Sequence, residues 1–414
     1  MTEDLPKGRK QAALAFIFVT ALLDVMALGI VIPVLPKLVE SFTGSVSLAG
    51  FYVGLFGTLW GLMQFVFSPI MGGLSDRFGR RPVILASNFG LAIAYGLMAL
   101  APNLIWLLVA RLVSGIMAAS LTTAFAYVAD ITPPEKRTGA YGLVGASFGL
   151  GFVIGPVVGG LIGDFDPRWP FWLAGGLSLL NGLYGLMILP ESLPKDKRSA
   201  FSWAKANPVG SLKLLGGNKN LSGLALVNFL AQFAHYALPT CFVLYAGARY
   251  GWGSKEVGYV LAVIGVCAAL VQGVLARFVA KWIGERATVV VALSFGALGF
   301  LIYGIAPTGD LFLIGVPVMS LWGMAGPSTQ SLMTQLVDPT QQGRLQGANM
   351  SLNALAGVIA PVIFGQSLSL VSAPGHPDWW LGAPFVLGSL FLGLASLQAM
   401  RMFAKLAKVS PKTP

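Results

Sequence analysis

Charge is what this chain lacks most. Only 10% of its 414 residues are Asp, Glu, Lys or Arg, while 56% are hydrophobic, and a soluble domain carries charge on roughly a quarter of its positions. A water-soluble fold is thereby excluded. Cysteine is almost as scarce: Cys241 and Cys267 both lie inside apolar runs, which argues against a disulfide framework. Histidine also numbers two, and nothing in the chain has the spacing of a metal-ligand cluster. No nucleophile and base pairing stands out. The glycine pattern in GASFGLG at 145–151 opens no P-loop and falls in an apolar run. These gaps leave no basis for an enzyme or for transport driven directly by ATP, so an ion gradient or the substrate's own gradient must supply the energy.

What remains is a series of long apolar runs. Twelve approach the roughly 20 residues that a helix needs to cross a hydrocarbon core of about 30 Å. They cover residues 12–36, 48–74, 82–101, 104–129, 139–163 and 170–190, then 221–246, 257–280, 287–306, 310–336, 344–370 and 380–402. The runs are continuous and rich in Gly, Ala and Leu, as in closely packed membrane helices, without the short alternating segments of a transmembrane barrel. The expected fold class is an all-α membrane protein. The first run follows KGRK at 7–10 in the manner of a signal peptide, but it is long, holds two prolines and has no small-residue cleavage site. It is expected to be retained.

The formal net charge of +11 points to topology and not to nucleic acid, because the basic residues sit in short loops between the runs. Loops assigned alternately from a cytoplasmic N-terminus place 22 of the 27 Lys and Arg residues inside and four outside (Lys37, Arg168, Arg249 and Lys255), with Arg111 in the membrane. By the positive-inside rule, both termini are expected in the cytoplasm.

The longest polar interval, 191–220, separates a first half (12–190) from a second (221–402), with tails at 1–11 and 403–414. Motifs recur between the halves at a constant offset of 205. FGRRPVILA at 78–86 falls on IGERATVVV at 283–291, pairing Gly79 with Gly284 and Arg81 with Arg286; PPEKRTGAYG at 133–142 falls on DPTQQGRLQG at 338–347, pairing Pro134 with Pro339 and Gly142 with Gly347; GPVVGG at 155–160 falls on APVIFG at 360–365, pairing Pro156 with Pro361. A duplicated, parallel six-helix unit accounts for all three matches.

Two parallel six-helix halves, each with a short charged loop after its second helix, form the plan of major facilitator transporters. GGLSDRFGRRP at 72–82 resembles the loop signature of that superfamily, Arg111 and Gly115 in RLVSG its fourth-helix signature, and GFVIGPVVGG at 151–160 its fifth-helix antiporter motif. LLDVMALGIVIPVLPKL at 22–38, YVADIT at 127–132 and QGRLQGA at 342–348 are similar to the tetracycline-efflux branch of drug and proton antiporters. The resemblance implies the major facilitator fold in a bacterial cytoplasmic membrane, with a small molecule, protons and the lipid bilayer as partners. No cofactor beyond a proton gradient is implied, and a monomer suffices because one chain holds both halves of the pathway.

Within that plan Gly72, Asp76, Arg77, Gly79, Arg80, Arg81 and Asp130 are expected to form a conformational latch, in which Asp76 faces the start of the eleventh helix and the arginines pair with nearby acids, Asp130 first. The second copy has Lys281 and Trp282 in place of Asp76 and Arg77, so the latch is expected to be asymmetric. Gly151, Gly155, Pro156, Gly159 and Gly160 are expected to form a flat helix face against which another helix packs. An ionisable group at bilayer depth costs roughly 2.5–3.5 kcal/mol on insertion scales, which singles out Asp24, Arg111 and His235. Asp24 and Arg111 read either as a proton-coupling pair or as a static ion pair, and His235 as a second proton carrier, a substrate contact or a packing residue. Gln64, Asn88, Tyr127, Asn228, Gln232, His235, Tyr236, Gln330 and Asn353 are candidate substrate contacts, with Gln272 and Trp322 beside them; each is equally readable as interhelical packing.

The tetracycline exporters that this chain resembles have membrane aspartates where it has Ala94 and Gly296. The resemblance therefore implies an intact transport machine with a different ligand site. Two functions stay open at this stage: proton-coupled export of small amphipathic compounds, and a facilitator or proton symporter importing a nutrient or metabolite.

Overall fold

The computed structural model describes residues 7–118, 121–133, 137–199, 201, 210–338 and 341–409. The repeat pair Pro134 and Pro339, the outermost residues of both tails and the middle of the linker lie outside the described residues. Twelve helices are long and apolar enough to cross a membrane: α1 (Phe18–Thr43), α2 (Val46–Phe78), α3 (Arg80–Leu100), α4 (Leu104–Ile131), α5 (Val144–Gly163), α6 (Trp169–Ile188), α7 (Lys219–Tyr250), α8 (Ser254–Ile283), α9 (Glu285–Ile305), α10 (Gly309–Thr334), α11 (Arg344–Val371) and α12 (Asp378–Lys405). They answer one for one to the twelve apolar runs. No strand occurs among the described residues, as expected where each backbone group must find its partner within its own segment.

The helices gather into two compact units. One holds residues 1–42, 59–207 and 253–262, the other 43–58, 208–252 and 263–414. Each unit therefore takes the opening turns of one helix, α2 or α8, from the other half of the sequence. In the first unit α1 packs along α5, and α3 along α6. Glycine decides the first of these contacts: a Cβ on Gly155 would lie 2.7 Å from the Met26 carbonyl oxygen and 2.9 Å from the Gly29 Cα, and one on Gly159 would fall on the Ile30 backbone. On the far edge of α5, Gly160 and the Pro156 carbonyl receive Gly258 of α8.

The second unit repeats that arrangement. Gly365 and the Pro361 carbonyl of α11 receive Gly54 of α2, with 2.9 Å between the Gly365 Cα and a Cβ built on Gly54. The duplication read from the sequence thus reappears as equivalent backbone contacts around Pro156 and Pro361. One detail is confined to the second unit. The Thr58 hydroxyl donates to the Val358 carbonyl (2.8 Å) and accepts from the Val362 amide (3.1 Å), bridging the turn of α11 that contains Pro361, where the ring removes a backbone donor. Thr58→Val, which keeps the shape and removes the hydroxyl, is expected to lower the apparent melting temperature in detergent by a few degrees, as befits roughly 1–2 kcal/mol for a lost buried hydrogen bond; an unchanged melt would make the bridge incidental.

Elsewhere the second unit is packed with rings. Tyr303 and Phe312 stack with centroids 4.0 Å apart, Tyr245 meets Phe385 at 5.0 Å, and the Tyr245 hydroxyl donates to the Tyr303 carbonyl at 2.7 Å. Three of its helices are irregular: α7 is interrupted at Tyr236, α8 contains a π-turn at Val271–Leu275, and α10 a 3-10 turn at Leu321–Met324. Irregular backbone at bilayer depth is tolerated where it is enclosed by protein or lines a cavity.

Candidate functional site

Three groups of residues carry the chemistry. The first is the polar interior of unit one. Asp24 on α1 accepts a hydrogen bond from the Asn181 Nδ2 of α6 at 3.1 Å, and the Thr20 hydroxyl donates to the Asn181 Oδ1 at 3.0 Å. A bond to a carboxylate is worth about 1.5–3 kcal/mol, so Asn181 offsets part of the cost of placing Asp24 here. Arg111 on α4 takes a different neighbour: its guanidinium lies over the Trp60 ring, 5.3 Å from the centroid, and its Nε has no hydrogen-bond partner. No ion pair joins Asp24 to Arg111 among the described residues. The direct pairing expected from sequence is corrected in that respect; each charge is met by a neutral side chain.

The second group is the loop joining α2 to α3. Gly79 (φ 106°) makes the turn, a conformation open to glycine alone without strain. Arg80 is its centre: Nη1 meets the Asp76 Oδ1 at 2.6 Å and the Ser75 Oγ at 2.6 Å, and Nε donates to the Asp130 Oδ2 at 3.1 Å. Asp130 also accepts from the Ser192 hydroxyl at 3.0 Å. The other two arginines do not pair with acids among the described residues, contrary to expectation: Arg81 donates to the Leu186 carbonyl at 2.8 Å, and Arg77 lies over the Phe78 ring at 5.1 Å. Arg81 is thereby tied to the end of α6. Gly72 has open space where a side chain would stand, so no close contact demands glycine there.

The third group lines unit two. His235 keeps exposed surface at the break in α7. Its ring is 5.7 Å from that of Trp322 and 6.3 Å from that of Tyr236. Gln272, in the π-turn of α8, lies against Gly323 in the 3-10 turn of α10, and the Tyr236 hydroxyl reaches Gly357 of α11. The three irregular turns therefore meet around one set of side chains. Gln232 is partly open, and so, in the first unit, is Gln64.

Other candidates are spoken for. Asn88 is 1% exposed and Tyr127 0%, leaving no face for a ligand, and the Tyr127 hydroxyl donates to the Pro190 carbonyl at 3.1 Å. Both are corrected from substrate contacts to interior residues. Asn228 donates to the Asn353 Oδ1 at 3.4 Å, and Asn349 to the Gln330 Oε1 at 2.8 Å; these amides join α11 to α7 and α10.

Sequence reasoning missed Asn181 as the partner of Asp24, and it missed Glu191, Ser192 and Arg198, which were read as linker. Helical spacing within α6 gives no hint that Asn181 faces α1. The signal for Glu191 and Ser192 was their place: two polar residues immediately after an apolar run that ends beside the latch loop.

At the two positions where the tetracycline exporters that this chain resembles carry aspartate, the protein is closed. Ala94 is 0% exposed, and a Cβ on Gly296 would stand 2.9 Å from the Trp322 Cβ.

Comparison with known proteins agrees with this architecture. The family model of the Major Facilitator Superfamily matches residues 17–361. The class C tetracycline resistance protein of Escherichia coli is 36% identical over 390 residues, covering 94% of this chain and 96% of that protein, and the class E protein of Escherichia coli is 34% identical over 377 residues, covering 91% and 90%. Among solved structures, the human organic anion transporter MFSD10 (TETRAN) superposes with a TM-score of 0.70 at 26% identity, over 95% of this chain and 100% of that one. The chain belongs to the Major Facilitator Superfamily, in the branch of the tetracycline resistance proteins.

Proposed function

We propose that the protein is a proton-coupled exporter of small amphipathic compounds, working by alternating access as a monomer in the bacterial cytoplasmic membrane with both termini inside. The observation that carries this reading is Asp24: a carboxylate within membrane helix α1, held by a neutral amide and free of any fixed ion pair among the described residues. Such a group can gain and lose a proton as its surroundings change. Asn181 directs its Nδ2 toward Asp24. That amide is oriented by the Thr20 hydroxyl donating to its Oδ1. The names of the relatives, tetracycline resistance proteins, support export as the direction. The loop around Arg80 supplies the latch that one conformation makes and the other breaks.

Tetracycline itself is a poor fit. Glu256, Glu285, Asp310 and Asp378 occupy the first turns of α8, α9, α10 and the segment that opens α12, where acids offset the helix macrodipole. They do not line the wall formed by His235, Tyr236, Gln272 and Trp322. That wall offers rings and one amide with no fixed negative charge, which suits a flat aromatic compound carrying a neutral hydrogen-bonding group better than a metal-chelated drug.

Purified protein in liposomes loaded with a pH-sensitive dye tests the reading, with a panel of aromatic amphipathic compounds, tetracycline included, added under an imposed pH gradient. Antiport predicts proton movement opposite to the compound. Movement in the same direction would make the protein a symporter, and uptake without proton movement a facilitator.

A further inference from the structure

The latch loop is strapped at both ends by the segment that follows α6. Gly79 has no side chain to cap α3, and the first amides of a helix lack intrahelical acceptors. Glu191, more than a hundred residues away in sequence, takes that place. Its Oε1 accepts from the Arg80 amide at 2.8 Å and its Oε2 from the Arg81 amide at 3.3 Å; Oε1 also accepts from the Leu193 amide at 3.0 Å, and Arg198 stands 3.7 Å from Oε2. A Cβ on Gly79 would land on the Glu191 Oε2, so the glycine leaves the space that the carboxylate fills. At the other end of the loop, the Ser199 amide donates to the Asp76 carbonyl at 3.1 Å, closing the last turn of α2, and the Phe201 ring covers Gly73. Ser192 reaches Asp130, the acid that holds Arg80.

The second repeat serves as an internal control. Gly284 makes the same turn (φ 80°, ψ 157°) before α9 as Gly79 makes (φ 106°, ψ 161°) before α3, yet nothing lies within 4 Å of a Cβ built on it. The turn therefore folds without an external carboxylate. What Glu191 adds, in the half that retains the full latch motif, is fixation.

We infer that Glu191 is a positioning residue of the latch: by gripping the start of α3 it holds Arg80 between Asp76 and Asp130, and through Ser192, Arg198 and Ser199 it makes residues 191–199 part of the latch and not a passive linker. This rests on the latch reading above.

The test compares wild type, Glu191→Gln, Glu191→Asp and Asp76→Asn as full-length protein in proteoliposomes. Hydrogen exchange of the peptide spanning residues 79–85 reads the grip without needing a substrate. Loss of charge-assisted bonds of about 1.5–3 kcal/mol predicts roughly tenfold or faster exchange at the Arg80 and Arg81 amides in Glu191→Gln. Partial recovery is expected in Glu191→Asp. Transport of acridine orange is expected to lose maximal rate several-fold in Glu191→Gln with its half-saturating concentration unmoved. Unchanged exchange at those amides overturns the inference, as does normal turnover in Glu191→Gln where Asp76→Asn is slow. Normal turnover in Asp76→Asn would instead sink the latch reading, while faster exchange in Glu191→Gln would still uphold the grip.

Discussion

Asp24→Asn is expected to abolish substrate-driven proton movement while leaving substrate binding measurable. The substitution is nearly isosteric, so the packing of α1 against α5 and α6 is kept, and an amide in place of the carboxylate can still meet Asn181 across their present 3.1 Å. What disappears is the carboxylate that Asn181 holds on α1, and with it the site at which a proton would be carried. Export driven by a pH gradient should fall to background, whereas exchange of labelled compound across the membrane with no gradient should continue, because alternation between the two forms does not itself require charge at Asp24. Retained proton flux in Asp24→Asn would remove Asp24 from the mechanism and turn attention to His235, the histidine within α7. Loss of both activities together with a lowered melting temperature would mark the Asp24, Asn181 and Thr20 cluster as structural glue.

The sequence carried the fold almost completely because the bilayer imposes a simple rule: roughly 20 apolar residues for each crossing, charge only in the loops, and a duplication that shows as motifs at one spacing. It also carried the meeting of Asp76, Arg80 and Asp130 at the loop after α2. It did not carry the pairings that depend on helix rotation. Whether Asp24 faces Arg111 or Asn181 is settled by packing angles that no spacing along one helix encodes. The same holds for Asn88 and Tyr127, polar residues whose helix faces turn inward. The exchange of the opening turns of α2 and α8 between units was equally out of reach. It depends on glycine-to-backbone contacts such as Gly54 on Pro361 and Gly258 on Pro156, and glycine is frequent throughout the chain, with 52 residues, so no single one stands out in sequence.

Gly159→Ala is expected to produce the largest loss of stability of any single methyl addition on α5. The added Cβ would coincide with the backbone of Ile30, and a Cβ on Gly155 one turn earlier would meet the Met26 carbonyl at 2.7 Å and the Gly29 Cα at 2.9 Å. Backbone cannot swing aside as a flexible side-chain end can, so α1 and α5 must separate. Overpacking typically costs about 1–3 kcal/mol, and this contact falls at or above the upper end because the obstructing atoms belong to a helix. Separation also moves α1 relative to α6, so Asp24 should lose its bond to Asn181, and transport should decline further than stability alone explains. Gly149 is the matched control: it lies on the same helix with nothing within 4 Å of a Cβ, and alanine there gains helix propensity of roughly 1 kcal/mol over glycine. Gly149→Ala should therefore melt at or above the wild-type temperature in detergent, while Gly159→Ala melts well below it or fails to accumulate in the membrane. Equal melting of the two variants would mean that the glycine face of α5 does not hold α1 in place, and the helix pair that positions Asp24 would have to be sought between α1 and α6.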